Sequence, residues 1–220
     1  MFENFNGLAA WKPRNEKITI ARRLLHRLQV DCYAGAECNV QWSIVKHHHQ
    51  LSQLFKTEVE INAVSAHNSN ERDGRLQQGG TAIITFDRMA TLFKHQGVDP
   101  TGLGRWCWMM TKGKHNMTTR IISAYQPCRS SAKRLDTVYS QQRRYFRLHG
   151  DTRCPRAIFR SDLYTLLKTW IDAGDKVLLL IDTNEDLTKG PLISKLKSLR
   201  MYDAIAKRSG TPGPATFATG

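Results

Sequence analysis

The sequence predicts a layered α/β fold, and three observations lead to this prediction. Segments with helical periodicity alternate with short strand-like runs along the 220 residues, which is typical of sheets covered by helices. Hydrophobic residues make up 40% of the chain, enough for a folded core. Two strand-like runs lead into acids, at Glu37 and Asp182, and α/β proteins usually place ligand-binding residues at strand ends. The length suits a single domain, which we take as residues 1–220.

Three helices are predicted from their ends and their apolar periodicity. The first covers residues 15–30, with Asn15 as its N-cap and an acid in its first turn. The second covers residues 155–174, with Pro155 in its first turn and a glycine at its end. The third covers residues 193–208. The apolar residues expected to share one face in the first two helices are Ile18, Ala21, Leu25 and Leu28, and Phe159, Leu163, Leu166, Leu167 and Trp170.

The strand-like runs include one hairpin. Residues 105–110 and 119–125 flank a polar turn at 111–116, a pattern typical of a β-hairpin. Trp106 and Trp108 alternate within it, which favours packing over a platform for stacked bases. The other predicted strands cover residues 31–37, 79–86 and 177–181. The last of these is apolar throughout, so we expect it to be buried.

The charge balance points to a polyanionic partner. The chain has 33 Lys and Arg against 19 Asp and Glu, a formal charge of +14 and a pI of about 9.9. A positive field of this size favours nucleic acid or another phosphate-rich partner. A soluble protein that is basic without such a partner is the alternative.

Other features of the sequence predict an intracellular protein. The five cysteines are odd in number and form no C-x-x-C pair, which disfavours a disulfide framework or a zinc cluster. The first 15 residues lack the pattern of a signal peptide. No apolar run reaches the ~18 residues that a membrane span needs, so we expect no membrane partner. The oligomeric state is left open.

Five short motifs together resemble a known family. They are N-F-N-G-L at 4–8, E-C-N at 37–39, G-G-T-A-I at 79–83, Y-Q-P at 125–127 and D-T-N at 182–184. In this order they resemble the endonuclease/exonuclease/phosphatase superfamily over the whole chain. The resemblance implies a four-layer α/β sandwich, in which two packed mixed sheets are flanked by helices. It also implies hydrolysis of phosphoester bonds with Mg²⁺, with Mn²⁺ as the alternative ion.

The resemblance implies a metal site and a set of catalytic residues. Glu37 would be the main metal ligand, with Asn6 near the metal. The catalytic residues would be Asn4, Tyr125, Asp182 and Asn184. Among these, Asp182 would orient or deprotonate the attacking water, and the tyrosine hydroxyl and the two amides would hold the phosphate. The chemistry favours the same residue types, because a hard cation prefers oxygen ligands.

Each of these residues also has a structural interpretation. Asn4 and Asn6 could shape the turn before Gly7, and residues 182–184 could form an Asx-turn and a helix cap. Glu37 could be a surface acid, and Tyr125 could be an ordinary aromatic at the end of a strand.

A closer resemblance concerns the substrate. The segments DPTGLGRW, VYSQQRRYF and RCPRAIF are similar to endonuclease-like domains of retroelements. This implies nucleic acid as the partner, DNA rather than RNA, and a nuclear location. Arg143 and Arg144 could bind its phosphates, or lie on a solvated helix face.

The chain departs from the family pattern at two motifs and at its end. Cys38, Ile181 and Thr183 replace the usual Thr, Gly and Phe, and no histidine follows His149. We therefore expect a domain that is incomplete at its C-terminus, without the closing Asp-His motif. As a phosphodiesterase, this fragment is expected to be weak or inactive. The alternatives are a phosphatase of small phosphoesters, such as inositol phosphates, and a non-catalytic nucleic-acid-binding remnant.

Overall fold

Two four-stranded mixed sheets form the centre of the structure. The computed structural model describes residues 1–12, 14–56, 58–70, 74–131, 137–186 and 188–211. The first sheet contains β1 (Phe2–Asn4), β2 (Cys32–Ala36), β3 (Ile61–Ala66) and β4 (Thr81–Phe86). The second contains β5 (Phe93–Val98), β6 (Trp106–Lys112), β7 (Thr118–Tyr125) and β8 (Lys176–Asp182).

Seven helices accompany the sheets in the described part of the chain. They are α1 (Glu16–Arg27), α2 (Leu51–Leu54), α3 (Asp87–Thr91), α4 (Val138–Leu148), α5 (Pro155–Asp172), α6 (Pro191–Ser198) and α7 (Ala204–Ser209). Single 3₁₀ turns lie at His47–His49 and Lys114–Asn116. None of the helices described here combines the length and the apolar character needed to cross a membrane.

Each sheet contains one parallel pair of strands. The strand order is β1-β2-β4-β3 in the first sheet and β5-β6-β7-β8 in the second. β1 runs parallel to β2, with Asn4 opposite Ala36. β7 runs parallel to β8, with Tyr125 opposite Asp182. Because parallel neighbours end at the same edge of a sheet, each pair places the residues that follow it side by side.

Three apolar layers hold the sandwich together, and they confirm the predicted four-layer architecture. Between the sheets, Ala34 and Ile83 of the first sheet pack with Met109 and Ile121 of the second. The outer face of the first sheet is covered by α1 and the segment around α2. The outer face of the second sheet is covered by α5 and α6. Apolar burial of this kind is the main favourable term in folding.

The structure confirms the first two predicted helices. The Asn15 side chain accepts a hydrogen bond from the N–H of Ile18 (3.3 Å) and caps α1. Leu28, expected on the buried face of this helix, is 55% exposed because it lies just beyond the last turn. In α5, the predicted apolar face is buried on the second sheet. Trp106 and Trp108 pack there against Phe159 and Trp170.

The third predicted helix is wrong as a single element. Residues 193–208 fall on two helices, α6 and α7, which are separated at Arg200 by a left-handed backbone conformation (φ 58°). Asp203 then starts α7, since its side chain accepts hydrogen bonds from the N–H groups of Ile205 (2.8 Å) and Ala206 (3.1 Å). The cap makes a new helix start more favourable than a continuous helix.

The predicted hairpin and strands are present, but the strand at 177–181 is less buried than expected. This strand, β8, lies at the edge of the second sheet, and Leu178 on it is 44% exposed. Besides the three-residue β1, the strands β3 and β5 have no counterpart among the predicted elements. The reason is their mixed composition, INAVSA and FKHQGV, since strands of this kind are stabilised mainly by their neighbours. The Pro/Gly-rich composition of residues 209–220 predicts a loop, and this segment falls largely outside the described residues.

A buried ion cluster holds the connection between β5 and β6 against α5. The Arg105 guanidinium donates to Asp99 (2.7 Å) and to Asp162 (2.7 Å). The Arg105 and Asp99 side chains are only 1% and 0% exposed. The guanidinium also lies 4.4 Å from the ring of Trp106. Asp99, Arg105 and Trp106 all belong to the segment DPTGLGRW, so this segment has a structural role.

We expect Arg105→Met to destabilise the fold by about 3–5 kcal/mol, because it leaves the buried Asp99 carboxylate without a cation. Urea unfolding measures the change. Lys168→Met is the matched control, since Lys168 pairs with Asp172 on the surface of α5 and exposed pairs contribute little. Equal effects of the two substitutions would contradict this interpretation of the cluster.

Candidate active site

The structure brings four of the predicted site residues together at one edge of the sandwich. Asn4 and Asp182 are the last residues of β1 and β8, and the Asn4 Nδ2 donates a hydrogen bond to the Asp182 Oδ2 (2.9 Å). The two residues are 178 positions apart and belong to different sheets. Glu37 follows β2, and its carboxylate lies near Tyr125 at the end of β7, where it raises the pKa of that tyrosine. Glu37 also lies close enough to Asp182 for its charge to raise the pKa of the Asp182 carboxyl.

The orientation of Asn4 follows from its contacts. Its Oδ1 accepts a hydrogen bond from the N–H of Asn6 (2.8 Å), so its Nδ2 is the group left to donate to Asp182. The other Asp182 oxygen accepts a hydrogen bond from the N–H of Asn184 (3.2 Å). Asn4 and Asp182 therefore both take part in turns, as the structural interpretation of these residues expected. The same turns orient the two side chains that form the hydrogen bond between the sheets.

The backbone at the site is held in an uncommon conformation. Asn6, Glu37, Asn39 and Asn184 all have left-handed φ values, of 43°, 54°, 53° and 45°. Asparagine tolerates this region, but it is less favourable for glutamate. Glu37 is kept there because its carbonyl accepts a hydrogen bond from the N–H of Gly7 (2.8 Å). Strain of this kind is concentrated at functional sites.

The electrostatics of the site favour a cation. Burial raises the pKa of the Asp182 carboxyl above its ordinary value, and the charge of Glu37 acts in the same direction. The hydrogen bonds from Asn184 and Asn4 oppose this shift. Among the ion pairs of the described residues, none includes Asp182 or Glu37. Within the described part of the chain, these two neighbouring carboxylates therefore have no ion-pair partner.

This arrangement fits a hard divalent ion. Within the described ranges, no three His, Cys, Asp or Glu side chains form a ready-made metal cluster. Mg²⁺ does not require one, because it is usually bound through one or two carboxylates, with waters and substrate phosphates completing its coordination. Glu37 would supply such a carboxylate, and the charge of Glu37 acts on the Asp182 carboxyl beside it. Asn6, the second predicted metal-site residue, is exposed two positions after Asn4.

Tyr125 and Cys128 lie beside the carboxylates as protonated groups. Burial raises the pKa of Tyr125, and so does the nearby Glu37 carboxylate. The hydroxyl therefore remains a donor. Burial also raises the pKa of the Cys128 thiol, with further contributions from Glu37 and Asp182. The thiol donates to the Asn184 Oδ1 (2.9 Å), a contact that the sequence did not indicate.

Comparison with solved structures identifies the fold. The chain is similar to an AP endonuclease from Archaeoglobus fulgidus (TM-score 0.52, 15% identity, 94% of this chain and 66% of that one). It is also similar to the 3′ phosphatase NExo from Neisseria bound to product DNA hairpin (0.54, 14%, 90% and 69%). A third similar structure is the human Nocturnin catalytic domain with bound sulfate anion (0.51, 13%, 89% and 67%). This chain has the endonuclease/exonuclease/phosphatase fold.

The similarity rests on structure alone. No protein-family model and no curated protein matches the sequence. The chain spans about two thirds of the length of these solved structures.

Within this fold, a buried polar network binds both the side chain and the backbone carbonyl of Asn184. The Asn184 Nδ2 donates to the carbonyl of Gln126 (2.8 Å), and the Arg156 guanidinium donates to the carbonyl of Asn184 (3.0 Å). Glu185 is the centre of the network. Its carboxylate accepts hydrogen bonds from Gln126 (2.8 Å), Arg156 (3.0 Å) and Arg160 (3.4 Å), and from the N–H of Leu192 at the start of α6 (2.8 Å).

Sequence reasoning missed this network. The only available signals were that Glu185 directly follows the D-T-N motif and that Gln126 directly follows Tyr125. Nothing in the sequence indicates that Arg156, in the first turn of α5, reaches Pro127 and Asn184 from there.

The structure accommodates the three departures from the family pattern. Cys38 is fully buried in the core beneath α1. Ile181 packs against the core under α5. Thr183 is buried, and its hydroxyl donates to the carbonyl of Glu185 (3.1 Å). These substitutions thus alter packing beside the site and leave its carboxylates and amides in place.

Arg143 and Arg144 lie on α4, which begins beside the site. Val138, its first residue, is next to Gly79, and Tyr125 also lies near that glycine. Arg143 is half-buried, with its guanidinium 5.8 Å from the ring of Tyr139, and Arg144 is exposed. Their role in binding nucleic acid stays a prediction.

The raised pKa of Asp182 predicts a pH-dependent effect of Asp182→Asn. A carboxyl with a raised pKa in the folded state stabilises the fold only below its unfolded pKa of about 3.9, and this contribution is lost as the pH rises. The stability of Asp182→Asn relative to the unaltered chain should therefore increase between about pH 4 and pH 7. Urea unfolding in EDTA measures this difference.

Asp186→Asn provides a control of opposite sign. The Asp186 carboxylate accepts hydrogen bonds from Thr188, which hold its pKa below the usual range. Its contribution to stability is therefore present above the unfolded pKa and lost as the pH falls. The relative stability of this variant should decrease over the same pH range. If the stability of Asp182→Asn relative to the unaltered chain did not change with pH, the Asp182 carboxyl would not have a raised pKa in the folded state.

Proposed function

We propose that this protein is a divalent-metal-dependent phosphodiesterase that acts on nucleic acid. The observation that carries the proposal is the hydrogen bond between Asn4 and Asp182, which holds one half-buried carboxylate near a second one, Glu37. The similarity of the fold to nucleic-acid-processing phosphodiesterases supports it. The formal charge of +14 is consistent with a polyanionic substrate.

In this proposal, Glu37 holds the metal ion, with Asn6 near it. The ion is Mg²⁺ or Mn²⁺, and when bound it supplies positive charge that offsets the negative charge developing on the phosphate. The two carboxylates without an ion pair support this assignment.

Asp182 and Tyr125 are proposed to act on the reacting atoms. Asp182 orients the attacking water and accepts its proton, because hydrogen bonds from Asn4 and Asn184 fix both of its oxygens. Tyr125 donates a hydrogen bond from its hydroxyl to a phosphoryl oxygen, since its raised pKa keeps it protonated. Asn4 and Asn184 each have one amide hydrogen beyond the contacts already described, with which they can hold the phosphate.

DNA is the proposed substrate. The Neisseria 3′ phosphatase, which is similar in fold, was solved with a product DNA hairpin. A role as the nicking domain of a retroelement, and with it a nuclear location, rests on the sequence resemblance alone. The proposal includes slow hydrolysis, because none of the residues that meet at the candidate active site is a histidine that could stabilise the phosphate.

A plasmid-nicking assay with and without Mg²⁺ tests the proposal. We expect slow, Mg²⁺-dependent nicking that Asp182→Asn lowers by about 10²–10⁴-fold, the usual contribution of a positioned base. Glu37→Gln should raise the Mg²⁺ concentration needed for activity. The matched control is Glu60→Gln, since Glu60 is exposed just before β3, and it should leave nicking unchanged.

Each result separates the proposal from its rivals. Equal nicking by the unaltered chain and by Asp182→Asn would reject this active site. Fast turnover abolished by Glu37→Gln would keep the site and reject the low activity. A phosphatase of small phosphoesters would release phosphate from inositol phosphates faster than it nicks DNA. A non-catalytic remnant would bind nucleic acid in a salt-dependent way and be indifferent to Asp182→Asn.

A further inference from the structure

A cleft of about 490 Å³ opens directly beside the candidate active site. It is formed by the loop after β1, the start of α1 and two residues from elsewhere in the chain, Asn39 and Leu76. Its lining includes Asn6, Trp11, Lys12, Arg14, Asn39 and Leu76. Its volume lies within the range of sites for small molecules and cofactors, and suits one nucleotide better than an isolated phosphate.

The walls of the cleft are fixed by hydrogen bonds. The Asn15 Nδ2 donates to the carbonyl of Ala9 (3.1 Å), and the Lys17 ammonium donates to the carbonyl of Gly7 (3.1 Å). On the other side, the Asn39 Oδ1 accepts a hydrogen bond from the N–H of Gly79 (2.7 Å). The cleft is therefore formed by the fold itself.

The charge of the cleft favours an anion. Lys12, Arg14 and Lys17 line it, against a single acid, Glu16. Lys17 is bound to backbone carbonyls, whereas Lys12 and Arg14 are exposed. No ion pair recorded for the described residues includes either of these two cations. As far as the described residues go, both cations can therefore bind phosphate.

The same cleft also presents apolar surface. Trp11 is half-buried, and Leu76 is 55% exposed on the facing loop. Cations next to exposed apolar and aromatic side chains are the combination that binds single-stranded nucleic acid, since the cations hold the backbone and the apolar groups contact the bases.

The cleft and the candidate active site share a wall. Asn6, at the mouth of the cleft, is two residues after Asn4, and Asn39 is two residues after Glu37. A strand whose phosphate lies at Glu37 and Asp182 would therefore place its neighbouring nucleotide in the cleft.

We propose that this cleft binds the unpaired nucleotide next to the cleaved phosphodiester, with its phosphate on Lys12 and Arg14 and its base against Trp11 and Leu76. The proposal rests on the proposed function for the position of the cleaved bond. It specifies the substrate as a nucleic acid that is single-stranded on one side of that bond, because a paired base would not reach the apolar wall.

Binding of a fluorescent single-stranded oligodeoxynucleotide to the full chain in EDTA tests the proposal without cleavage. Anisotropy is measured over a series of salt concentrations. The double variant Lys12→Ala/Arg14→Ala should make the negative slope of log K against log salt shallower by about 0.7, because one neutralised phosphate on a single strand contributes about 0.7. Leu76→Ser should weaken binding by about three- to tenfold without changing this slope.

The matched control is Arg88→Ala/Lys94→Ala. It removes the same charge from exposed positions beyond the far end of β4, and should leave the slope unchanged. An unchanged slope in the Lys12/Arg14 variant, or an equal loss in the control, would overturn the proposal. So would an equal effect of Leu76→Ser on a duplex of the same sequence.

Hydrolysis of bis(4-nitrophenyl) phosphate by the unaltered chain with Mg²⁺ tests the proposed function separately. If this ester is hydrolysed but the slope does not depend on Lys12 and Arg14, the cleft proposal fails and the function stands. If the slope depends on them and no ester or plasmid is cleaved, the cleft binds nucleic acid and the proposed function fails.

Discussion

The face-to-face packing of the two sheets is the constraint on which the site depends. Ala34 of the first sheet and Cys107 of the second are buried between them. The Ser123 hydroxyl of the second sheet donates to the carbonyl of Gly35 in the first (3.0 Å). Because this packing fixes how the sheets align, the ends of β1 and β8 meet and Asn4 reaches Asp182.

The fold maintains this site at a cost in stability. Asp182 is a partly buried carboxylate next to a second one, and Glu37 has a left-handed backbone. Both features are unfavourable on their own and persist because the surroundings impose them. The network centred on Glu185 provides part of this support, since it ties β8, α5 and α6 to the backbone of Asn184.

The distribution of charge suits the proposed substrate. The chain is strongly basic as a whole, yet the site edge carries two carboxylates without an ion pair among the described residues. A basic surface attracts a polyanion, but acids in the centre repel it unless a cation lies between them. β1 and the loop after it connect the site with the cleft. Asn4, at the end of the strand, lies at the site, and Lys12 and Arg14 of the loop line the cleft.

The sequence by itself determined the layered α/β class, both long helices, the hairpin and the strand ends at Glu37 and Asp182. These features depend on local signals, such as the Asn15 cap and the periodicity of α5, which act within a few residues. Only the tertiary structure decided the rest. The strands β3 and β5, the break at Arg200, the pairing of Asn4 with Asp182 and the network at Glu185 all depend on partners that are distant in the chain or on how the chain turns between them. No local pattern specifies which distant residue supplies a hydrogen bond or a paired strand, so these features could not be predicted from the sequence.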